Sequence, residues 1–136
     1  MTVAWTAVLA VLCGGLIGSM ARVVLGQLIP IGHRGFPTPV LVVNLLGSFL
    51  LGAYMARREM SAGHPDWVRF WAIGVMGSFT TFSTFTVDLV RLVESGRPAM
   101  AAAYLGASVA GGLLLAIAGL RLGRFDRMTR RGRAGR

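Results

Sequence analysis

Hydroxyl groups and phenylalanine rings crowd one short stretch of an otherwise apolar chain. Six of the nine residues from 78 to 86 are Ser or Thr, and Phe82 and Phe85 stand among them, three residues apart on one helix face. A phenylalanine ring is positive at its edge, so ring edges and the hydroxyls of Ser83 and Thr84 could contact a small anion. Without a basic group, such a stripe would hold an anion weakly enough to release it, which conduction requires. The same spacing is also typical of a face that packs in a core or against lipid.

This stretch also contains residues that can open a helix inside a membrane. Ser, Thr and Gly in an apolar span can release backbone carbonyls, which is tolerated only where protein or a polar cavity meets them. Carbonyl oxygens freed near Gly77 and Thr80 would suit a hard cation such as Na⁺, and interrupted helices often mark ion sites. The alternative is a continuous, slightly bent helix whose hydroxyls bond back to carbonyls one turn earlier. Composition favours neither alternative.

Other polar residues interrupt the apolar stretches singly. Arg22 either reaches the nearer membrane interface or gives a water-filled vestibule a positive potential that attracts anions. The Asn44 amide could donate hydrogen bonds to an ion without trapping it by charge, or could join two helices. Tyr104 and Ser108 lie one helical turn apart and could extend a polar track. Asp88 falls near a membrane end, and we expect it to lie at a solvated helix terminus.

These residues lie in four long apolar stretches. Of the 136 residues, 54% are hydrophobic and 14% are charged, whereas a soluble domain has about 25% charged residues. A helix needs about 20 apolar residues to cross a bilayer, and the stretches that reach this length are residues 3–29, 38–56, 70–93 and 98–120. The sequence therefore predicts an all-α membrane protein of four transmembrane helices. Of the two alternatives for the third helix, we expect the broken form, with the break near its middle.

Enzyme chemistry has no support in the sequence. His33 and His64 fall in connections without further ligands at metal-binding spacing. Cys13, the single cysteine, has no disulfide partner, and we expect it to be a small buried apolar residue. There is no phosphate-binding loop, nucleophile motif or pair of carboxylates. We therefore expect a protein that is not an enzyme.

The arginines, which are all fourteen basic residues, predict the orientation. An even number of spans places both termini and the middle connection on one side, with ten arginines against three on the other. Positive charge favours the cytoplasmic side. Seven of the ten lie at or after Arg121, so we expect them to set the orientation or to face anionic lipid head groups, not nucleic acid. We divide the chain into a four-helix transmembrane domain, residues 1–123, and an arginine-rich tail, residues 124–136.

Several motifs together resemble those of the Fluc/CrcB fluoride channels, over nearly the whole chain. The most specific one, Gly-Ser-Phe-Thr-Thr-Phe-Ser-Thr-Phe at 77–85, is similar to the family's Gly-Gly-x-Thr-Thr-Phe-Ser-Thr-Phe. The supporting motifs are Gly15-x-x-Gly18-x-x-x-Arg22, Asn44-x-x-Gly47-Ser48-Phe49 and Glu94-Ser95-Gly96.

The resemblance implies a fluoride-specific channel that exports F⁻ passively across the plasma membrane. It implies an antiparallel, dual-topology dimer with two pores, and a structural Na⁺ on the two-fold axis held by the Gly77 and Thr80 carbonyls of each subunit. It also assigns pathway residues: the phenylalanines are Phe82 and Phe85, the pore-facing amide is Asn44, the vestibule arginine is Arg22, and the polar track holds Tyr104 and Ser108.

Three departures from the family pattern leave alternatives open. Ser78 replaces the second glycine of the motif, and Gly112 stands where many relatives have Ser or Thr. The arginine tail could fix one orientation, which would make the chain one half of a heterodimer with an oppositely oriented relative, or an accessory subunit. A small four-helix multidrug exporter is a further alternative, but it needs a buried carboxylate, and the first span has no acid.

Overall fold

The computed structural model describes residues 5–58 and 65–134, with side chains through Phe125. Every regular element in these ranges is helical. Four segments are long and apolar enough to cross a membrane, as the sequence predicts: Trp5–Leu28, Thr38–Arg58, Pro65–Glu94 and Pro98–Phe125. The protein is therefore a multi-pass membrane protein. The residues that are not described include His64, the rest of 59–64 in the second connection, and the end of the tail.

The individual helices follow these four spans, with the third one composite. The bounds are α1, Trp5–Leu28; α2, Thr38–Arg58; α3, Pro65–Val68; a π-helical segment, Arg69–Met76; α4, Gly77–Phe79; α5, Phe82–Glu94; and α6, Pro98–Ala134. Because arginine is a good helix former, α6 continues as a helix well past the end of its apolar part.

The helices pack as two close pairs, α1 against the first half of the third span and α2 against α6. Small residues make the contacts, since they let backbones approach in lipid. A β-carbon on Gly14 or Gly18 would overlap the carbonyl oxygens of Phe70 and Val75, respectively. Cys13 lies off this glycine face and is exposed, so the expectation that it is buried was wrong.

Helical geometry stops for two residues inside the third span. Thr80 has φ −80° and ψ 159°, and Thr81 has φ −144° and ψ 121°, so both are extended. The helix resumes at Phe82, capped by the Thr81 hydroxyl, which accepts a hydrogen bond from the Thr84 amide. A threonine oxygen at this position satisfies one of the free amides at a helix start. The span thus consists of two helical parts that meet at an extended dipeptide.

A hydrogen bond joins separate parts of the chain at each end of the bundle. At one end, Arg97 donates a hydrogen bond to the Arg34 carbonyl, which joins the first and third connections. At the other end, the Tyr54 hydroxyl donates to the Trp67 carbonyl at 2.9 Å. Helices α2, α5 and α6 pack around a small core: Phe85, Leu92, Ala101 and Tyr104.

Candidate functional site

A groove of about 400 Å³ opens beside the extended dipeptide, and we name it the central groove. It brings together six of the residues that the sequence singles out: Asn44, Gly77, Thr80, Phe82, Phe85 and Ser108. Its other lining residues are Gly47, Ser48, Leu51, Ala72, Met76, Thr81 and Val109. None of these described lining side chains is ionisable, so the groove offers an ion only neutral dipoles and ring edges.

Asn44 on α2 bonds the backbone of the third span rather than another side chain. Its Nδ2 donates to the Thr81 carbonyl at 2.9 Å, and its Oδ1 accepts from the Thr81 amide at 2.8 Å. An extended residue has no helical partners for these two groups, and leaving a buried one unpaired costs about 1–3 kcal/mol. The Asn44 amide supplies both bonds.

These hydrogen bonds release two backbone carbonyls in the third span. In a continuous α-helix the Thr81 amide would bond the Gly77 carbonyl, and the Thr84 amide would bond the Thr80 carbonyl. Here the Thr81 amide donates to Asn44, and the Thr84 amide donates to the Thr81 hydroxyl at 3.2 Å. Gly77 and Thr80, the residues predicted from composition, therefore lose their usual helical donors.

Thr81 organises the hydroxyl groups at the start of α5. Its Oγ1 lies 3.3 Å from Ser83 Oγ and 3.0 Å from Thr84 Oγ1, and the residue is almost fully buried. Sequence reasoning did not single out Thr81 as a site residue. Its signal was a hydroxyl residue three positions before Thr84, which is the pattern of a helix N-cap after an interruption.

The aromatic residues of the site differ sharply in exposure. Phe82 is 79% exposed, whereas Phe85 is 9% exposed and Tyr104 is completely buried. Ring centroids lie 5.9 Å apart for Phe82 and Phe85 and 5.2 Å apart for Phe85 and Tyr104, both in tilted geometry. The three rings form a row that leads from the outside of the single chain into the bundle.

Two hydroxyls on α6 are buried near these rings without a hydrogen-bond partner in the described part of the chain. They are Tyr104 Oη and Ser108 Oγ. A hydroxyl can both donate and accept, so the Ser108 hydroxyl can bond an ion or a water that enters the central groove. Only Ser108 lines the central groove; Tyr104 lies behind Phe85.

Arg22 lies in a separate, neighbouring groove of about 320 Å³, the Arg22 groove. This groove shares Thr81 with the central groove and also contains Thr84. A third cavity of about 430 Å³, the outer groove, shares Thr84 with it and contains Asp88. One oxygen of Asp88 is buried without a partner in the described chain. The residue lies in the middle of α5, so the expectation that it occupies a solvated helix terminus was wrong.

Comparison with known proteins identifies the family. The family model described as CrcB-like protein, Camphor Resistance (CrcB), matches residues 9–120. The chain belongs to the CrcB family. The resemblance drawn from its motifs is thereby confirmed, and the matched range ends before the arginine tail.

The CrcB relatives carry the name of a channel. A fluoride-specific ion channel FluC of Stutzerimonas stutzeri (strain A1501) is 44% identical over 121 residues, covering 85% of this chain and 95% of that protein. A second FluC, from Anaeromyxobacter sp. (strain K), is 46% identical over 119 residues, covering 86% and 94%. FluC 2 of Geobacillus kaustophilus (strain HTA426) is 42% identical over 113 residues, covering 82% and 88%. This family is one of ion channels, which agrees with the expectation that the protein is not an enzyme.

Proposed function

We propose that this CrcB protein is a fluoride-specific channel of the plasma membrane that exports F⁻ passively. The observation that carries the proposal is the central groove, a polar site inside a transmembrane bundle whose described lining has no ionisable side chain. A channel must bind its ion strongly enough to admit it and weakly enough to release it. Relatives at over 40% identity are named fluoride-specific channels, which supports F⁻ as the ion.

The pathway uses three kinds of group in sequence. Arg22 gives its groove a positive potential that draws anions inward. The hydroxyls of Ser83 and Thr84 then replace part of the lost hydration, and the edges of Phe82 and Phe85 add electropositive C–H groups without a full charge. The buried hydroxyls of Tyr104 and Ser108 extend the polar track.

A dimer completes the site in this proposal. Phe82 is a large aromatic residue on the rim of the central groove and is 79% exposed in the single chain. A second, antiparallel copy would cover this ring and close the groove into a pore, and the two-fold symmetry would produce two pores. Passive flow through them lets F⁻ leave after HF has entered from acid surroundings and dissociated in the cytoplasm.

The released carbonyls fit a structural Na⁺ at the two-fold axis. Neutral carbonyl oxygens are ligands that hard cations accept, and Gly77 and Thr80 have lost their helical donors to Asn44 and Thr81. Two carbonyls from each subunit would hold the ion. When bound, Na⁺ supplies charge that joins the two interrupted spans.

Reconstitution tests the function directly. Liposomes that contain the purified protein alone should release F⁻ rapidly when a counterion pathway is supplied, and should retain Cl⁻ under the same gradient. Protein-free liposomes are the control. Equal Cl⁻ release, or no F⁻ release from correctly inserted protein, would contradict the proposal. F⁻ release that appears only after co-expression with an oppositely oriented relative would instead assign the chain the accessory or heterodimer role.

A further inference from the structure

We propose that Asn44 is a positioning residue: its amide keeps the third span extended at Thr81, and this presents the Gly77 and Thr80 carbonyls to a monovalent cation. This role differs from the one that the motif resemblance implies, in which the amide faces the passing anion. The inference rests on the proposed function for the identity of the cation.

The hydrogen bonds of Asn44 leave little of its amide for an ion. The side-chain oxygen accepts from the Thr81 amide at 2.8 Å, and one of the two Nδ2 hydrogens donates to the Thr81 carbonyl at 2.9 Å. Thr81 itself is only 8% exposed, so water cannot readily replace these bonds. Asn44 therefore acts as a neighbouring β-strand would, by pairing both backbone groups of one extended residue.

The alternative to this pairing is a continuous helix. If Asn44 did not bond Thr81, the Thr81 amide could return to the Gly77 carbonyl, its partner in an unbroken α-helix. That carbonyl would then no longer be available to a cation. The Asn44 side chain and Gly77 carbonyl thus compete for one amide hydrogen, and the structure shows Asn44 holding it.

Close packing of α2 against the third span lets Asn44 reach Thr81. One turn along the same helix face, a β-carbon on Gly47 would overlap the Thr80 side chain. The absence of a side chain at Gly47 therefore lets the extended dipeptide approach α2 closely enough to reach the amide.

The sodium response of the unfolding temperature tests the inference. We define this response as the rise in unfolding temperature of the purified protein when Na⁺ replaces N-methyl-D-glucamine at constant ionic strength. A rise is expected because a ligand that binds the folded state stabilises it. The wild-type protein should respond, and Asn44→Ala should lose the response. Thr86→Val is the matched control, because it removes a 3.0 Å hydroxyl bond to the Phe82 carbonyl within α5 and leaves Asn44 and Thr81 unchanged; it should respond like the wild type.

A second variant keeps the test decisive if Asn44→Ala does not fold. The protonated carboxyl of Asn44→Asp can reproduce both bonds to Thr81, because its O–H donates and its other oxygen accepts. The sodium response of Asn44→Asp should therefore be present at acid pH, whereas Asn44→Leu, which has a similar size and neither donates nor accepts, should lack it at the same pH.

The outcomes separate this inference from the proposed function. A full sodium response in Asn44→Ala with lost F⁻ release would overturn the positioning role and favour an amide that touches only the anion. A wild type without any sodium response, or a full response in Asn44→Leu at acid pH, would overturn it as well. A wild type that responds to sodium but releases no F⁻ would refute the fluoride channel and leave the role of Asn44 standing.

Discussion

Phe82 and Phe85 are neighbours in space with opposite surroundings. Phe85 packs against the buried Tyr104, whereas most of Phe82 faces outward from the single chain. In the proposed pore, Phe85 is held by the core, and Phe82 is covered by the second subunit. Both rings lie on the rim of the central groove.

Replacing both rings tests the ring-edge argument at the residue scale. We expect Phe82→Ile with Phe85→Ile to abolish F⁻ release, because an aliphatic side chain keeps the apolar contact and lacks the positive edge. The rate of F⁻ release in the liposome assay should fall at least tenfold, which corresponds to an increase of about 1.4 kcal/mol in the activation free energy. Phe125→Ile, at the far end of α6, is the control and should release F⁻ like the wild type. Undiminished release from the double variant would remove the ring-edge argument.

The sequence predicted individual site residues better than it predicted their hydrogen-bond partners. The composition of residues 77–86 pointed to Gly77 and Thr80 as residues whose carbonyls could be freed, because Gly, Ser and Thr weaken a helix inside a membrane. Nothing in the sequence could show that the freed amide of Thr81 bonds Asn44, which is 37 positions away. An amide side chain has several possible partners, and only tertiary packing selects one.

At the scale of the elements, spans were predictable and their internal geometry was not. Hydropathy placed the second span at 38–56, and α2 runs over Thr38–Arg58. The π-helical segment Arg69–Met76 left no signal that hydropathy could detect, since an apolar run has the same composition in either type of helix. Within this segment, Gly74 lies in close contact with Gly14 on α1.

The glycine contact between α1 and the third span gives a prediction about stability. Gly18→Ala should destabilise the protein by about 1–3 kcal/mol, because the added methyl group would overlap the Val75 carbonyl in a packed interface. The measurement is the unfolding temperature in detergent. Gly26→Ala is the matched control on the same helix, since a β-carbon there meets no atom within 4 Å. Equal unfolding temperatures for the two variants would show that this interface is loosely packed.

At the scale of the whole molecule, the arginine count predicts that the end of the chain sets the orientation. When the tail is left out, the side that holds the termini has three arginines, Arg57, Arg58 and Arg69. The other side also has three, Arg34, Arg91 and Arg97. This balance favours neither orientation under the positive-inside rule. The seven arginines from Arg121 onward break it.

The tail decides between the two kinds of dimer considered above. If its arginines fix one orientation, as in the heterodimer alternative, neutralising them should mix the orientations. We expect a variant with all seven tail arginines changed to Gln to insert in both directions in about equal amounts, because the loop charges are balanced. C-terminal reporters that are active on only one side of the membrane measure the ratio. Changing Arg34, Arg91 and Arg97 to Gln instead should leave the wild-type orientation unchanged. A single orientation for the neutralised tail would show that another feature directs insertion.

The length of α6 has a practical consequence. Its 37 residues extend about 55 Å at 1.5 Å per residue, whereas the hydrocarbon core is about 30 Å thick. The last turns therefore form a rod that projects beyond the bilayer. A soluble domain joined to this rod through an uninterrupted helix would move rigidly with the channel, and would give a small membrane protein the extra mass and shape that particle alignment in electron cryomicroscopy requires.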